Sequence, residues 1–118
     1  MIACGNVRID PKIARDSLEH ITVESYRTLV PVLKDLAKEG YALIGLEQTT
    51  NSTSLHEFRF PRKMALVIGN ERLGLSEDEL ALMTDCVEIP VWGRPHSYNV
   101  ATATAMALYE YCKQYPNG

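Results

Sequence analysis

The chain has 118 residues, 46% of them hydrophobic, which is enough for one domain with a single apolar core. No apolar run approaches the roughly 20 residues of a membrane-spanning helix, and the amino terminus lacks the basic and apolar succession of a secretion signal. The net charge of −3 excludes nucleic-acid binding through a broad basic surface, so any RNA contact must be local or depend on another domain or subunit.

Cysteine and histidine usage points away from disulfides and metals. Cys4, Cys86 and Cys112 are widely spaced, and the sequence contains no C-x-x-C pair. None of the three histidines stands near a cysteine or a second histidine at the spacing of metal ligands. We therefore expect reduced thiols, a cytoplasmic location and no metal site.

The first part of the chain predicts two short strands and a helix. Residues 2–4 (Ile-Ala-Cys) and 20–23 (His-Ile-Thr-Val) are the strand candidates. Leucine and valine then recur at helical spacing over residues 29–36, and Gly40 supplies a C-terminal stop. Pro31 fits the first turn of this helix, where its missing N–H costs nothing.

Three continuous apolar runs follow, at residues 41–46, 64–68 and 86–89. Runs of this kind are typical of strands that are covered on both faces, as in parallel sheets. Between the last two runs, Ser76 and Glu79 have the spacing of a capping box at the start of a short helix.

The final helix is predicted from Tyr98 to Lys113, with Ser97 as a candidate N-cap. It is rich in alanine and threonine, and such small side chains let one backbone pass close to another. Strands that alternate with helices predict an α/β domain whose mostly parallel sheet is flanked by helices.

Ligands of such sheets bind beyond the carboxyl ends of the strands. Three loops are predicted at those ends: residues 47–51, 69–74 and 90–99. Gly69 allows close approach of a ligand, while Asn70 and Glu71 add hydrogen-bonding groups. Taken alone, these residues favour a simple turn that carries a solvated carboxylate.

An ordered set of motifs resembles the SpoU/TrmH family of the SPOUT superfamily, which are S-adenosylmethionine-dependent RNA methyltransferases. The set consists of A-L-V-I-G-N-E-x-x-G-L-S at residues 65–76, I-P at 89–90, and G-x-x-x-S-x-N-V at 93–100, before a helix that contains L-Y-E. G-Y-A-L-I-G-L-E-Q-T at 40–49 also fits, so that the resemblance runs from about Ile2 to Tyr111.

The resemblance implies methyl transfer to a ribose 2′-hydroxyl of tRNA or rRNA. It implies a deep C-terminal trefoil knot, in which the last helix passes through the preceding loop, and a homodimer packed around that knot. By motif, the cofactor-binding residues are Glu47, Gly69, Ile89, Ser97, Tyr98 and Asn99. The residues that shape the catalytic site are Asn70, Glu71, Ser97 and Asn99.

The same resemblance suggests which residues contact RNA and the partner subunit. Arg94 shares the predicted site loop and is the preferred phosphate contact. The basic segment FRFPRK at residues 58–63 lies at a strand entrance, opposite the predicted cofactor end, and we interpret it as solvated charge. In the last helix, Tyr109 and Tyr111 are candidates for the dimer surface.

Two departures from the family pattern leave an alternative open. Tyr98 stands where the family usually has leucine, and the first motif, N-x-G-x-x-x-R, is absent. Residues 1–118 are accordingly predicted to form a single SpoU-type domain that is incomplete at its amino-terminal edge. The chain is either an enzyme that lacks its first strands or a non-catalytic SPOUT-fold module for dimerisation or RNA binding.

Overall fold

The computed structural model of the protein describes residues 2–4, 24–49, 51–69, 73–90 and 99–117. The strands are β1 (Ile2–Cys4), β2 (Glu24–Tyr26), β3 (Ala42–Leu46), β4 (Thr53–Ser54), β5 (Met64–Ile68) and β6 (Asp85–Glu88). The helices are α1 (Val30–Lys38), α2 (Glu77–Ala81) and α3 (Val100–Gln114). No helix of the described ranges is long and apolar enough to cross a membrane.

The strands form two parallel sheets. A four-stranded sheet has the order β4-β6-β3-β5, and β1 pairs with β2 in a separate two-stranded sheet. Every pairing is parallel, which confirms the predicted α/β architecture. Because all four strands of the larger sheet run the same way, their carboxyl ends meet at one edge.

The larger sheet is covered on both faces, as its continuous apolar strands predict. Successive side chains of a strand point to opposite faces, so Leu43 and Ile44 of β3 belong to different cores. Leu43 packs with Leu33 of α1, and Ile44 packs with Ala107 of α3. All four side chains are at most 2% exposed.

Helix α1 follows the predicted pattern at both ends. Pro31 lies in the first turn, where its missing N–H has no intrahelical partner to lose. Gly40 follows the last turn with a φ of +91°, a conformation that glycine adopts without steric cost. The helix therefore begins and ends where proline and glycine favour it.

Helix α3 begins two residues later than the sequence predicts. Asn99, rather than Ser97, is the N-cap, and its Oδ1 accepts a hydrogen bond from the Thr102 N–H at 2.8 Å. At Ala107, only 1% exposed, the small side chain lies in the core and lets the helix backbone approach the sheet. The observed helix ends at Gln114, one residue beyond the prediction.

Two further predictions about strands have different outcomes. The strand expected at residues 20–23 lies outside the described residues, and β2 occupies the next three positions. Strand β4 was not predicted, because its two residues, Thr53 and Ser54, lie in a polar stretch without an apolar pattern.

The predicted capping box of α2 is confirmed. The Glu79 N–H donates to Ser76 Oγ at 3.2 Å, and the Ser76 N–H donates to Glu79 Oε1 at 2.7 Å. Each side chain thus satisfies a backbone donor that the helix itself leaves unpaired.

We expect Ser76→Ala to lower the free energy of unfolding by about 1 kcal/mol, because it removes the N-cap acceptor. The matched control is Ser76→Thr, which keeps a hydroxyl and is expected to lose much less. Urea denaturation followed by circular dichroism measures both. Equal stability of the alanine variant and the unchanged protein would contradict a stabilising role for the cap.

Candidate functional site

Three of the predicted site residues lie side by side at the carboxyl edge of the sheet. Leu46 of β3 is in register with Ile68 of β5 and Val87 of β6. The next residues along β3 and β5 are therefore Glu47 and Gly69, and neighbouring strands lie about 4.8 Å apart. On the β6 side, the Glu47 N–H donates to the Val87 carbonyl at 3.1 Å, two residues before Ile89.

The loop after β5 closes on itself at its base. A Cβ atom added to Gly69 would lie only 2.3 Å from the carbonyl carbon of Gly74 and 2.5 Å from the Leu75 nitrogen. Gly74 has a φ of +67°, in the left-handed region. The two glycines thus allow a close backbone contact that brings the beginning and the end of this loop together, and we call this contact the loop neck.

Glu47 holds the loop neck in place. Its Oε2 accepts a hydrogen bond from the Leu75 N–H at 3.0 Å. A Cβ atom on Gly74 would lie 2.5 Å from the same oxygen, so a side chain at position 74 would displace the carboxylate from this contact. A hydrogen bond to an ionised acceptor is stronger than one between neutral groups, and this one connects the end of β3 to the loop of β5.

Behind the loop neck, Cys86 of β6 lies opposite Gly45 of β3. Burial raises the pKa of the Cys86 thiol, and the carboxylates of Glu47 and Asp85 raise it further. The thiol is therefore protonated at neutral pH and is a poor nucleophile. No covalent chemistry is expected from this position.

A cavity of about 300 Å³ begins at the carboxyl end of β6 and continues along α3. Its walls are formed by Leu55, His56, Ile89, Pro90, Met106, Glu110 and Lys113. It shares Ile89 with the predicted site but includes neither Glu47 nor Gly69. The cavity therefore lies beside the loop neck and is separate from it.

The structure brings together part of the predicted site. Glu47, Gly69 and Ile89 belong to adjacent strand ends, and Asn99 caps α3. The remaining predicted site residues lie outside the described residues: Asn70, Glu71, Arg94, Ser97 and Tyr98. Among the described residues, no group of three histidine, cysteine or acidic side chains is arranged to hold a metal ion.

Gly74 and Leu75 form the far side of the loop neck and were not among the predicted site residues. The motif G-N-E-x-x-G-L contains both residues, and its second glycine was a usable signal for a closed loop. The hydrogen bond between Leu75 and Glu47 had no such signal in the sequence, because the two residues are 28 positions apart.

Comparison with known proteins identifies the family. Residues 8–109 match the model of the SpoU rRNA Methylase family. The chain belongs to this family. It is 41% identical over 86 residues to the mouse tRNA (guanosine(18)-2′-O)-methyltransferase TARBP1. The aligned residues make up 73% of this chain and 5% of that relative.

Two crystal structures of family members share the fold. The Aquifex aeolicus TrmH/SpoU tRNA-modifying enzyme superposes with a TM-score of 0.84 at 25% identity, over 94% of this chain and 56% of that chain. The second structure is the SpoU methyltransferase AviRb from Streptomyces viridochromogenes in complex with the cofactor AdoMet. It superposes with a TM-score of 0.82 at 28% identity, over 99% of this chain and 50% of that chain. The chain thus spans about half the length of these two proteins.

We expect Glu47→Ala to lower the free energy of unfolding by about 1–3 kcal/mol, because the Leu75 N–H loses a charged acceptor. Amide hydrogen exchange at Leu75 is expected to accelerate in the same variant. Glu47→Gln is the matched control, since its amide oxygen still accepts a hydrogen bond. Unchanged Leu75 protection in the alanine variant would show that the carboxylate does not hold the loop neck.

Proposed function

We propose that this SpoU-family domain binds S-adenosylmethionine and transfers its methyl group to a ribose 2′-hydroxyl of tRNA or rRNA. The observation that carries the proposal is the convergence of Glu47, Gly69 and Ile89 at adjacent carboxyl ends of parallel strands. Ligands of α/β sheets bind at this edge. The activity that names the mouse relative and the AdoMet complex of AviRb support the reaction and the cofactor.

The backbone around the loop neck suits a cofactor that is held mainly by main-chain groups. Gly69 has no side chain to keep a ligand away from the backbone. Ile89 follows β6, which lies on the other side of β3 from β5. Ser97, Tyr98 and Asn99 complete the proposed pocket from the third loop. When bound, S-adenosylmethionine supplies an electrophilic methyl group on its sulfonium.

Glu47 contributes to this pocket by keeping its wall in position. One carboxylate oxygen, Oε2, is engaged by the Leu75 N–H. Among the described residues, Oε1 accepts no hydrogen bond and remains available to a ligand donor. The residue therefore combines a structural contact with an acceptor for the cofactor.

The ribose hydroxyl must lose its proton as the new O–C bond forms, and positioned polar groups assist that loss. We assign this part of the site to Asn70, Glu71, Ser97 and Asn99. The Asn99 Oδ1 is occupied by the cap of α3, so the side chain offers its amide N–H groups to a ligand. Glu71 offers acceptors when it is ionised.

Further parts of the proposal concern the fold and the surroundings of the site. Residues 1–118 form a single methyltransferase domain, with α3 passing through the loop of residues 90–96 in a trefoil knot. Arg94 in that loop contacts a phosphate of the RNA.

We place the protein in the cytoplasm, where free thiols such as Cys86 and Cys112 stay reduced.

The dimer is proposed to form through the outer face of α3. One stripe of this helix is exposed and mostly apolar: Ala101, Ala105, Leu108, Tyr109 and Cys112. Tyr109 is 76% exposed, a large apolar area for a side chain in the middle of a helix. Tyr111 instead faces its own chain and donates to the Arg62 carbonyl at 2.6 Å, so Tyr109 is the candidate contact.

Titration with S-adenosylhomocysteine in a calorimeter tests the cofactor site. We expect binding to the unchanged protein and at least a tenfold loss in Gly69→Ala, because the added Cβ would open the loop neck. Gln48→Ala is a control at the same rim, on an exposed side chain. No heat at millimolar ligand with the unchanged protein would overturn the cofactor assignment.

An assay with labelled S-adenosylmethionine and unmodified tRNA or rRNA separates the enzyme from the non-catalytic module. Transfer to a ribose 2′-hydroxyl, identified by nuclease digestion and mass spectrometry, is the expected result. Binding of cofactor and RNA without transfer would instead support the module, for which the absent N-x-G-x-x-x-R motif is the specific observation.

We expect Tyr109→Lys to convert the dimer to a monomer, because a charge would replace the most exposed apolar side chain of the α3 stripe. Light scattering after size-exclusion chromatography measures the mass. Tyr26→Lys changes another exposed tyrosine, away from α3, and is expected to leave the dimer intact. A monomeric unchanged protein would reject the proposed dimer.

A further inference from the structure

The cavity beside the loop neck opens where the larger sheet ends. Of the described strands in this sheet, β4 is the outermost on its side, and it has only two residues. The chain turns directly after it, since the N–H groups of Glu57 and Phe58 donate to the Ser54 carbonyl at 3.0 and 3.1 Å. A space of about 300 Å³ is thereby left between the ends of β4 and β6 and the flank of α3.

The strand side of this cavity is mostly apolar. Leu55 follows β4, and its N–H donates to the Glu88 carbonyl at 2.8 Å, which keeps Leu55 beside β6. Ile89 and Pro90 follow β6, and Met106 lines the cavity from α3. Such walls suit the face of a flat aromatic ring, and the thioether of methionine makes favourable contacts with rings of this kind.

The helix side of the cavity carries an acceptor. Glu110 lies about one turn after Met106 on α3, and only 23% of its side chain is exposed. Among the described residues, it receives a single hydrogen bond, from Gln114 Nε2 to its Oε1 at 3.2 Å. The Lys113 Nζ lies 3.8 Å from Oε2, an ion pair that is longer than a hydrogen bond. A carboxylate has about four acceptor positions, so this mostly buried group has unused ones beside an apolar cavity.

Two exposed side chains complete the lining of the cavity, His56 and Lys113. An imidazole ring is one of the groups on which unstacked RNA bases stack. The Lys113 ammonium has three donors, and it stands next to the Glu110 carboxylate. The cavity thus combines apolar walls with an anionic acceptor and a cationic donor side by side.

A nucleobase matches this combination, and guanine matches it best. The Watson–Crick edge of guanine presents two adjacent donors, N1–H and the N2 amino group, followed by the O6 acceptor. The two oxygens of one carboxylate accept both donors, and a neighbouring ammonium donates to O6. Adenine and cytosine instead place a ring acceptor beside their amino group, and uracil places its N–H between two carbonyls. A carboxylate repels those acceptors.

The volume of the cavity agrees with a single base. Pockets for small molecules range from about 300 to 1,000 Å³, and this one lies at the lower limit. Single-stranded RNA is commonly recognised through bases that leave the stack, rest on side chains and form hydrogen bonds through their Watson–Crick edges.

We propose that this cavity is a pocket for an unstacked guanine base of RNA, which Glu110 recognises through its carboxylate. The proposal rests on the RNA substrate of the proposed function and adds a base-reading site to it. Ile89 is common to the cavity and the proposed methyl-transfer site, so the two are neighbours.

The sequence contains only part of this site. Glu110 is the last residue of L-Y-E, a motif that supported the family resemblance without a role of its own. Leu55 lies 55 positions earlier in the chain, in a polar stretch that predicts no element. Only the tertiary fold brings the two residues to one cavity.

Titration of the ¹⁵N-labelled protein with the four 5′-mononucleotides, followed by two-dimensional NMR, tests the pocket. The four probes carry the same phosphate and differ only in the base. We expect GMP to shift the amide signals of cavity residues such as Leu55 and Glu110, with saturation in the millimolar range. GMP is expected to bind at least about fivefold more tightly than AMP, CMP or UMP, because only guanine offers two donors to the carboxylate.

Glu110→Gln keeps the size of the side chain and replaces one acceptor by a donor. We expect this variant to lose at least about fivefold in affinity for GMP, with little change for AMP, so that the preference disappears. Asp35→Asn is the matched control, because it removes the same charge from an exposed position of α1. It is expected to keep the preference for GMP.

The other outcomes separate this pocket from the proposed function. Equal affinity for the four nucleotides, shifts confined to residues away from the cavity, or no saturable shift would each reject the pocket. Methyl transfer by a protein without the GMP preference would leave the proposed function standing, whereas the preference without transfer would place the pocket in a non-catalytic module. Affinity for S-adenosylhomocysteine is expected to stay constant in Glu110→Gln, and a tenfold loss would reject a separate base pocket and assign the cavity to the cofactor.

Discussion

The hydrogen bond between the Glu47 carboxylate and the Leu75 N–H connects the two loops on which the proposed site depends. Without it, the loop neck would rely on glycine contacts alone, and glycine restrains the backbone less than any other residue. The loop neck also explains the two glycines of the motif, since a Cβ on Gly69 would meet the Gly74 backbone and Gly74 has a positive φ. A cofactor pocket made of backbone groups needs this kind of support, because it has few side chains of its own to fix its shape.

Helix α3 has stabilising contacts at both of its ends. At its start, Asn99 caps the helix beside the proposed pocket. At its end, Gln114 and two tyrosines hold the segment that precedes β5. The buried Ala107 between them brings the helix close to the sheet, so a single rigid element runs from the proposed pocket to the segment before β5.

Local sequence patterns predicted local structure well, but they could not predict contacts between residues that are distant in the sequence. The apolar run of β5 and the capping box at Ser76 depend on neighbours in sequence, and both were predicted within the observed bounds. The two-residue strand β4 has no pattern of its own and exists because β6 offers it a partner. Glu47 was predicted to touch the cofactor because of its motif, whereas its bond to Leu75 depends on the strand order, which the sequence does not reveal.

Aromatic rings hold several basic side chains of this acidic chain in place. A free arginine or lysine side chain loses up to about 2 kcal/mol of rotamer entropy when it is ordered by a ligand. Tyr115 and Tyr41 already restrict the cations above them, so less of that entropy remains to be lost when a ligand binds. Ring contacts of this kind therefore order basic side chains before any ligand binds, at positions that the tertiary fold sets and the sequence does not reveal.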